Sequence, residues 1–162
     1  MPVARASRTI AAPPAQLWDI VSDPYHLPRW WPRVTRVEDV ADGAFTEVMR
    51  TRSGKTVRAD FDLVRAEEGT GTVVWEQRLD GTPFAAVLSS SETELRVAPP
   101  PAGAGESPRS EVTIELRQEL SGRSVRAYPL RRPVPSLGGW MVRRAASRTI
   151  EEALSGLEQI SG

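Results

Sequence analysis

Apolar and polar residues alternate with a period of two through the middle of the chain. Val57, Ala59, Phe61 and Leu63 interleave with Arg58, Asp60 and Asp62, the pattern of a strand with one face on a core and the other in water. Val73, Trp75, Gln77 and Leu79 interleave with Val74, Glu76 and Arg78 in the same way, and Gly69 and Gly71 supply the turn between the two runs. The clearest alternation sets Val112, Ile114, Leu116 and Leu120 against Thr113, Glu115, Arg117 and Glu119. Residues 85–97 form a further run, and 3–10, 33–40 and 45–51 add three weaker ones. About seven strands without the alternating helices of a crossover sheet predict antiparallel pairing.

The pattern changes to a helical period at both ends. Projected at about 100° per residue, Met141, Val142, Ala145, Ala146, Thr149, Ile150, Ala153, Leu157 and Ile160 fall on one arc. Arg144, Arg148, Glu151, Glu152, Ser155 and Glu158 fall opposite, so a long amphipathic helix lies on the sheet. The small residues Ala145, Ala146, Thr149 and Ala153 either leave space beneath it or let it approach closely. Near the start, Pro13 and Pro14 suit the first turn of a helix whose apolar face is Leu17, Trp18, Ile20 and Val21. Asp23 precedes Pro24, which forces the chain out of helical geometry near Ser22. A shorter turn then carries His26, Leu27, Trp30 and Trp31 up to Pro32. Residues 99–110, PPPAGAGESPRS, hold nothing that packs and read as a flexible hairpin loop between the last two strands.

Composition narrows the class. With 162 residues, 40% of them apolar, the chain is read as one domain, residues 1–162, with a proper core. The absence of cysteine excludes disulfides and thiolate metal sites. A single histidine, His26, leaves no basis for a zinc site, so neither metal nor cofactor is expected. Formal net charge is zero, which gives no field for nucleic acid. No signal-like or membrane-spanning apolar run is present, and a cytoplasmic protein, monomer or homodimer, is the expectation. Lys55 is the only lysine among 21 basic residues, a bias expected of a GC-rich bacterial genome.

One segment identifies more than composition does. Ile10-Ala11-Ala12-Pro13, the Leu17-Trp18 helix, Ser22-Asp23-Pro24 and Pro28-Arg29-Trp30-Trp31-Pro32 follow one another in order. This run resembles the amino-terminal signature of the START-like, or Bet v 1-like (SRPBCC), superfamily, and within it the polyketide cyclase/dehydrase group. The resemblance implies an α+β helix-grip fold: a curved antiparallel sheet of about seven strands, two short N-terminal helices and a long C-terminal helix. It also implies a cavity between sheet and helix for an apolar ligand such as a lipid, isoprenoid or polyketide.

The candidate site follows from the inward faces. Along 85–97, Val87, Ser89, Ser91 and Thr93 share a face with Leu95 and Val97, opposite Ser90, Glu92, Glu94 and Arg96. Ser89, Ser91 and Thr93 then lie beside Trp75 and Gln77. Buried hydroxyls left without partners are costly, so such a row calls for side-chain partners, water or a ligand with polar atoms; alternatively it bonds locally or faces solvent at a sheet edge. The expected ligand-binding set is Trp30, Trp31, Phe61, Leu63, Trp75, Gln77, Val87, Ser89, Ser91, Thr93, Met141, Ala145 and Thr149.

No nucleophile elbow, phosphate loop or dinucleotide fingerprint accompanies these residues. If the chain is an aromatic polyketide cyclase or dehydratase, it would hold a reactive chain in a productive fold, with Tyr128, Arg126 or Ser91 polarising a carbonyl. Between Glu119 and Glu151 there are seven arginines and no acidic residue, with Trp140 on the same helical face as Arg144. That surface is a weak contact for anionic membrane or for a protein partner, a lid over the pocket, or simply a solvated face.

Overall fold

The computed structural model describes residues 3–100, 108–121 and 135–161. Its strands are β1 (Val3–Ile10), β2 (Val34–Ala41), β3 (Ala44–Arg50), β4 (Thr56–Glu67), β5 (Thr72–Arg78), β6 (Leu88–Ala98) and β7 (Ser110–Leu120). They form one antiparallel sheet in the order β1-β7-β6-β5-β4-β3-β2. Two short helices, α1 (Pro14–Val21) and α2 (Leu27–Trp30), lie between β1 and β2, and the long α3 (Pro135–Ser161) follows β7. This is an α+β helix-grip fold.

Local chemistry sets the joints. Pro13 caps α1 in extended geometry and Pro14 opens it, so Leu17, Ile20 and Val21 turn into the core. Ser22 Oγ donates to the Trp18 carbonyl at 2.6 Å, and the Asp23 carboxylate accepts from the Tyr25 amide at 3.0 Å, closing the helix before Pro24. Asp42 and Gly43, at φ 51° and 75°, join β2 to β3 with the two-residue turn that suits strand twist. Gly71, at φ 64°, ends the β4–β5 connection, where a Cβ would sit 2.1 Å from the Val97 carbonyl oxygen.

The core lies where the second half of α3 meets the sheet. Ile150, Ala153, Leu154 and Leu157 are fully buried against Val73, Leu95, Val112 and Ile114. Arg8 of β1 donates to Ser155 Oγ at 2.8 Å and pairs with Glu151 at 3.0 Å, tying the helix to the sheet edge. The first half of α3 is different, for only Ala146 is buried between positions 140 and 149. Small residues therefore serve both purposes: Ala153 permits close approach, whereas Ala145, Ala146 and Thr149 face open space.

Two sequence expectations are corrected. The run 85–97 is not one strand, because residues Pro83–Ala86 form a 3-10 turn and β6 starts at Leu88. A register shift between Leu88 and Ser90 then puts Leu88 and Ser91 inward and leaves Ser89 exposed, its hydroxyl near the carbonyls of Glu119 and Leu120. Met141 is also turned to solvent, 50% exposed, and Leu154 joins the buried arc instead. The segment expected as a loop falls largely outside the described residues, as 101–107 are not among them.

Candidate ligand cavity

The curved inner face of the sheet and the first half of α3 enclose a cavity of about 500 Å³. Strand after strand supplies alternate residues to it: Glu47 and Met49 from β3, Val57 and Phe61 from β4, Trp75 and Gln77 from β5. Leu88, Ser91 and Thr93 from β6 and Leu116 and Gln118 from β7 continue the wall. Val142, Ala145, Ala146 and Thr149 of α3 form the opposite side. Exposed Val87, Arg33 and Arg50 on the rim mark where it opens to solvent.

Aromatic rings stiffen this enclosure. Trp31 meets Trp75 edge-on at 6.5 Å, Trp75 meets Phe45 edge-on at 5.9 Å, and Phe45 stacks on Phe61 at 5.3 Å. Rings packed in these arrangements hold shape better than flexible aliphatic chains do.

Of the expected ligand-binding residues, Trp31, Phe61, Trp75, Gln77, Val87, Ser91, Thr93, Ala145 and Thr149 come together on this lining. Trp30 does not: it is buried in the core, edge-on to Trp31 at 5.4 Å. Leu63 lines a separate cavity of about 180 Å³ shared with Val40, Phe45 and Trp75. Ser89 and Met141 face away for the reasons given above, and Val142 takes the place expected of Met141. Tyr128 and Arg126 lie outside the described residues.

The polar groups inside are few and unevenly partnered. Gln118 Nε2 donates to Ser91 Oγ at 3.3 Å, and Thr149 Oγ1 donates to the Ala145 carbonyl at 3.1 Å. The side-chain nitrogens of Trp75 and Gln77 are buried with no hydrogen-bond partner among the described residues. The outer face of β6 and β7 is the ordinary wet one, where Arg117 pairs with Glu92 and with Glu115.

Glu47 was not among the expected site residues. Its side chain is only 5% exposed and lies on the inward row between Phe45 and Met49. Burial pushes its carboxyl up to about 8, with no charge or hydrogen bond among the described residues to offset the loss of water. Near neutral pH it is therefore a neutral acid. The signal available in the sequence was its phase, a carboxylate in step with two large apolar residues on a strand.

The comparisons with known proteins agree with this architecture. A family model described as polyketide cyclase / dehydrase and lipid transport matches residues 1–161. No curated protein sequence matches the chain. Among solved structures, a START superfamily protein from Mycobacterium smegmatis superposes with TM-score 0.69 at 16% identity, over 98% of this chain and 96% of that one. The Zhui aromatase/cyclase from Streptomyces sp. R1128 gives TM-score 0.71 at 13% identity, over 98% and 92%. The protein XoxI from Bacillus cereus gives 0.74 at 14% identity, over 99% and 96%. At these identities the likeness is one of fold. No helix among the described residues is long and apolar enough to cross a membrane.

Proposed function

We propose, on the premise that the chain belongs to the polyketide cyclase / dehydrase and lipid transport family, that it binds an apolar small molecule in the cavity between the sheet and α3. The observation that carries this reading is the make-up of the walls. About 500 Å³ is bounded largely by carbon from Met49, Phe61, Trp75, Leu88, Leu116 and Val142, with a handful of polar atoms among them. Apolar area withdrawn from water contributes about 25 cal/mol per Å², and a few fixed polar groups orient what is held. Native mass spectrometry of the purified protein, with organic extraction of what it carries, tests the proposal. A bound apolar compound is expected; protein that carries none and takes up no added apolar compound contradicts it.

A second reading makes the cavity catalytic, an aromatic polyketide cyclase or dehydratase. The fold likeness to an aromatase/cyclase supports it, as do mostly apolar walls that would hold a reactive chain in one arrangement. Its candidate residues are Tyr128, Arg126 and Ser91. Turnover of a polyketide substrate that survives Tyr128→Phe, Arg126→Ala and Ser91→Ala together would remove this reading.

A contact with anionic membrane is favoured by one feature of the surface. Trp140 is 55% exposed beside exposed Met141, and the Arg144 guanidinium lies over its ring at 5.2 Å. Flotation with vesicles containing anionic lipid should recover the protein at low salt and lose it with Trp140→Ala. Equal recovery of the variant sinks the membrane contact.

A further inference from the structure

Among the described residues, Glu47 has no hydrogen-bond or ion-pair partner. In register it stands opposite Val37 of β2 on one side and Ala59 of β4 on the other, and neither side chain can accept or donate a hydrogen bond. Along β3 its inward neighbours are Phe45 and Met49. Across the cavity α3 presents Val142, Ala145, Ala146 and Thr149, of which only Thr149 is polar, and its hydroxyl is already given to the helix backbone. Arg33 and Arg50, the charged groups on the lining, are both exposed at the rim. Among the described residues nothing satisfies the Glu47 carboxyl, which stands on the cavity lining.

Gln77 lines the same enclosure from β5, two strands from Glu47, and between them β4 places Phe61 directly opposite Gln77 and Ala59 directly opposite Glu47. The Gln77 and Trp75 side-chain nitrogens are sealed in the wall without a partner among the described residues, whereas the Glu47 carboxyl stands on the lining itself.

We infer that Glu47 is the specificity-determining residue of this cavity: its carboxylic O–H is donated to an acceptor oxygen on an otherwise apolar, uncharged ligand. The inference rests on the proposed binding of an apolar molecule in the same cavity and adds the polarity of what is chosen. Hydrocarbons leave the carboxyl unsatisfied. Anionic ligands lose their own hydration on entering an apolar cavity. An uncharged ketone satisfies the site without either cost.

The assignment makes affinity depend on pH. The carboxyl titrates at about 8, so the donor is present at neutral pH and withdrawn above that value. With a ligand that binds only the protonated form, the competent fraction at about pH 9 is about one tenth, and apparent affinity falls by the same factor.

Three naphthalene probes of similar shape test it: naphthyl methyl ketone, ethylnaphthalene and naphthoate, each titrated into the full chain. The ketone should bind about tenfold more tightly than the hydrocarbon at neutral pH, the equivalent of one net hydrogen bond. Naphthoate should bind worst. Ketone affinity should fall above the Glu47 titration while hydrocarbon affinity stays level. Glu47→Gln keeps a donor and should give a pH-independent preference for the ketone, and Glu47→Leu should abolish the preference. Equal, pH-independent binding of ketone and hydrocarbon to the unaltered chain overturns the Glu47 assignment while leaving the cavity proposal standing. Failure of every probe to bind overturns both.

Discussion

Gly156 of α3 lies against the Trp30 carbonyl of α2 so closely that a Cβ at Gly156 would be 2.3 Å from that oxygen. The contact pins the second half of α3 to α2, whereas Val142, Ala145, Ala146 and Thr149 of the first half line the cavity.

Replacing that glycine tests the clamp. Gly156→Ala must push α3 away from α2, and overpacking of this kind costs typically 1–3 kcal/mol. Urea denaturation should show a lower midpoint for Gly156→Ala, whereas Gly139→Ala, where nothing lies within 4 Å of the added Cβ, should be as stable or slightly more so. An unchanged midpoint for Gly156→Ala removes the clamp.

Stability should also fall with rising pH because of Glu47. Its carboxyl has an ordinary value of 4.5 and is pushed up to about 8 in the fold. The folded state thus holds a proton that the unfolded state has released between those values, so stability is full below the lower one and is lost as pH rises through the upper one. At about 1.4 kcal/mol per unit, the loss at neutral pH is roughly 3 kcal/mol. Glu47→Gln should match the parent in acid, exceed it increasingly toward the upper value and hold a constant margin beyond it. Parallel stability profiles for the two proteins would refute this.

The two serines at the start of β6 should behave oppositely. Ser91 is buried and accepts a hydrogen bond from Gln118, so Ser91→Ala leaves an amide unsatisfied and should cost about 1 kcal/mol. Ser89 is exposed at the bulge, and Ser89→Ala should fall within about 0.5 kcal/mol of the parent. Thermal unfolding of both variants decides the register.

That pair also shows where the sequence was readable. All seven strands lie close to their predicted places because one buried face imposes a period of two, and α3 and the short α1 are equally legible from apolar spacing and proline position. Ser89 was misplaced because a bulge inserts one residue and reverses the faces beyond it, which strict alternation cannot register. Glu47 was passed over for a different reason. A carboxylate on a strand normally faces water, and its burial is decided by Val37 and Ala59, distant in sequence and apolar. Met141 was assigned to the apolar arc by projection alone, yet the cavity leaves that end of α3 with less sheet to cover it.

Filling the cavity should separate binding from folding. Ala145 lines it from a helix position whose side chain is not packed into the core. Ala145→Phe projects a ring into the space and should weaken naphthyl ketone binding at least about tenfold while shifting stability by no more than about 0.5 kcal/mol. Retained affinity in a folded variant would place the probe elsewhere.

Trp31 and Trp75 both line the cavity, so their fluorescence reports directly on what enters it. Titration of naphthyl methyl ketone into the unaltered chain should quench that emission saturably with one-to-one stoichiometry, and Ala145→Phe should suppress the response. Quenching that never saturates, or that is identical in the variant, would contradict a ligand-binding interior.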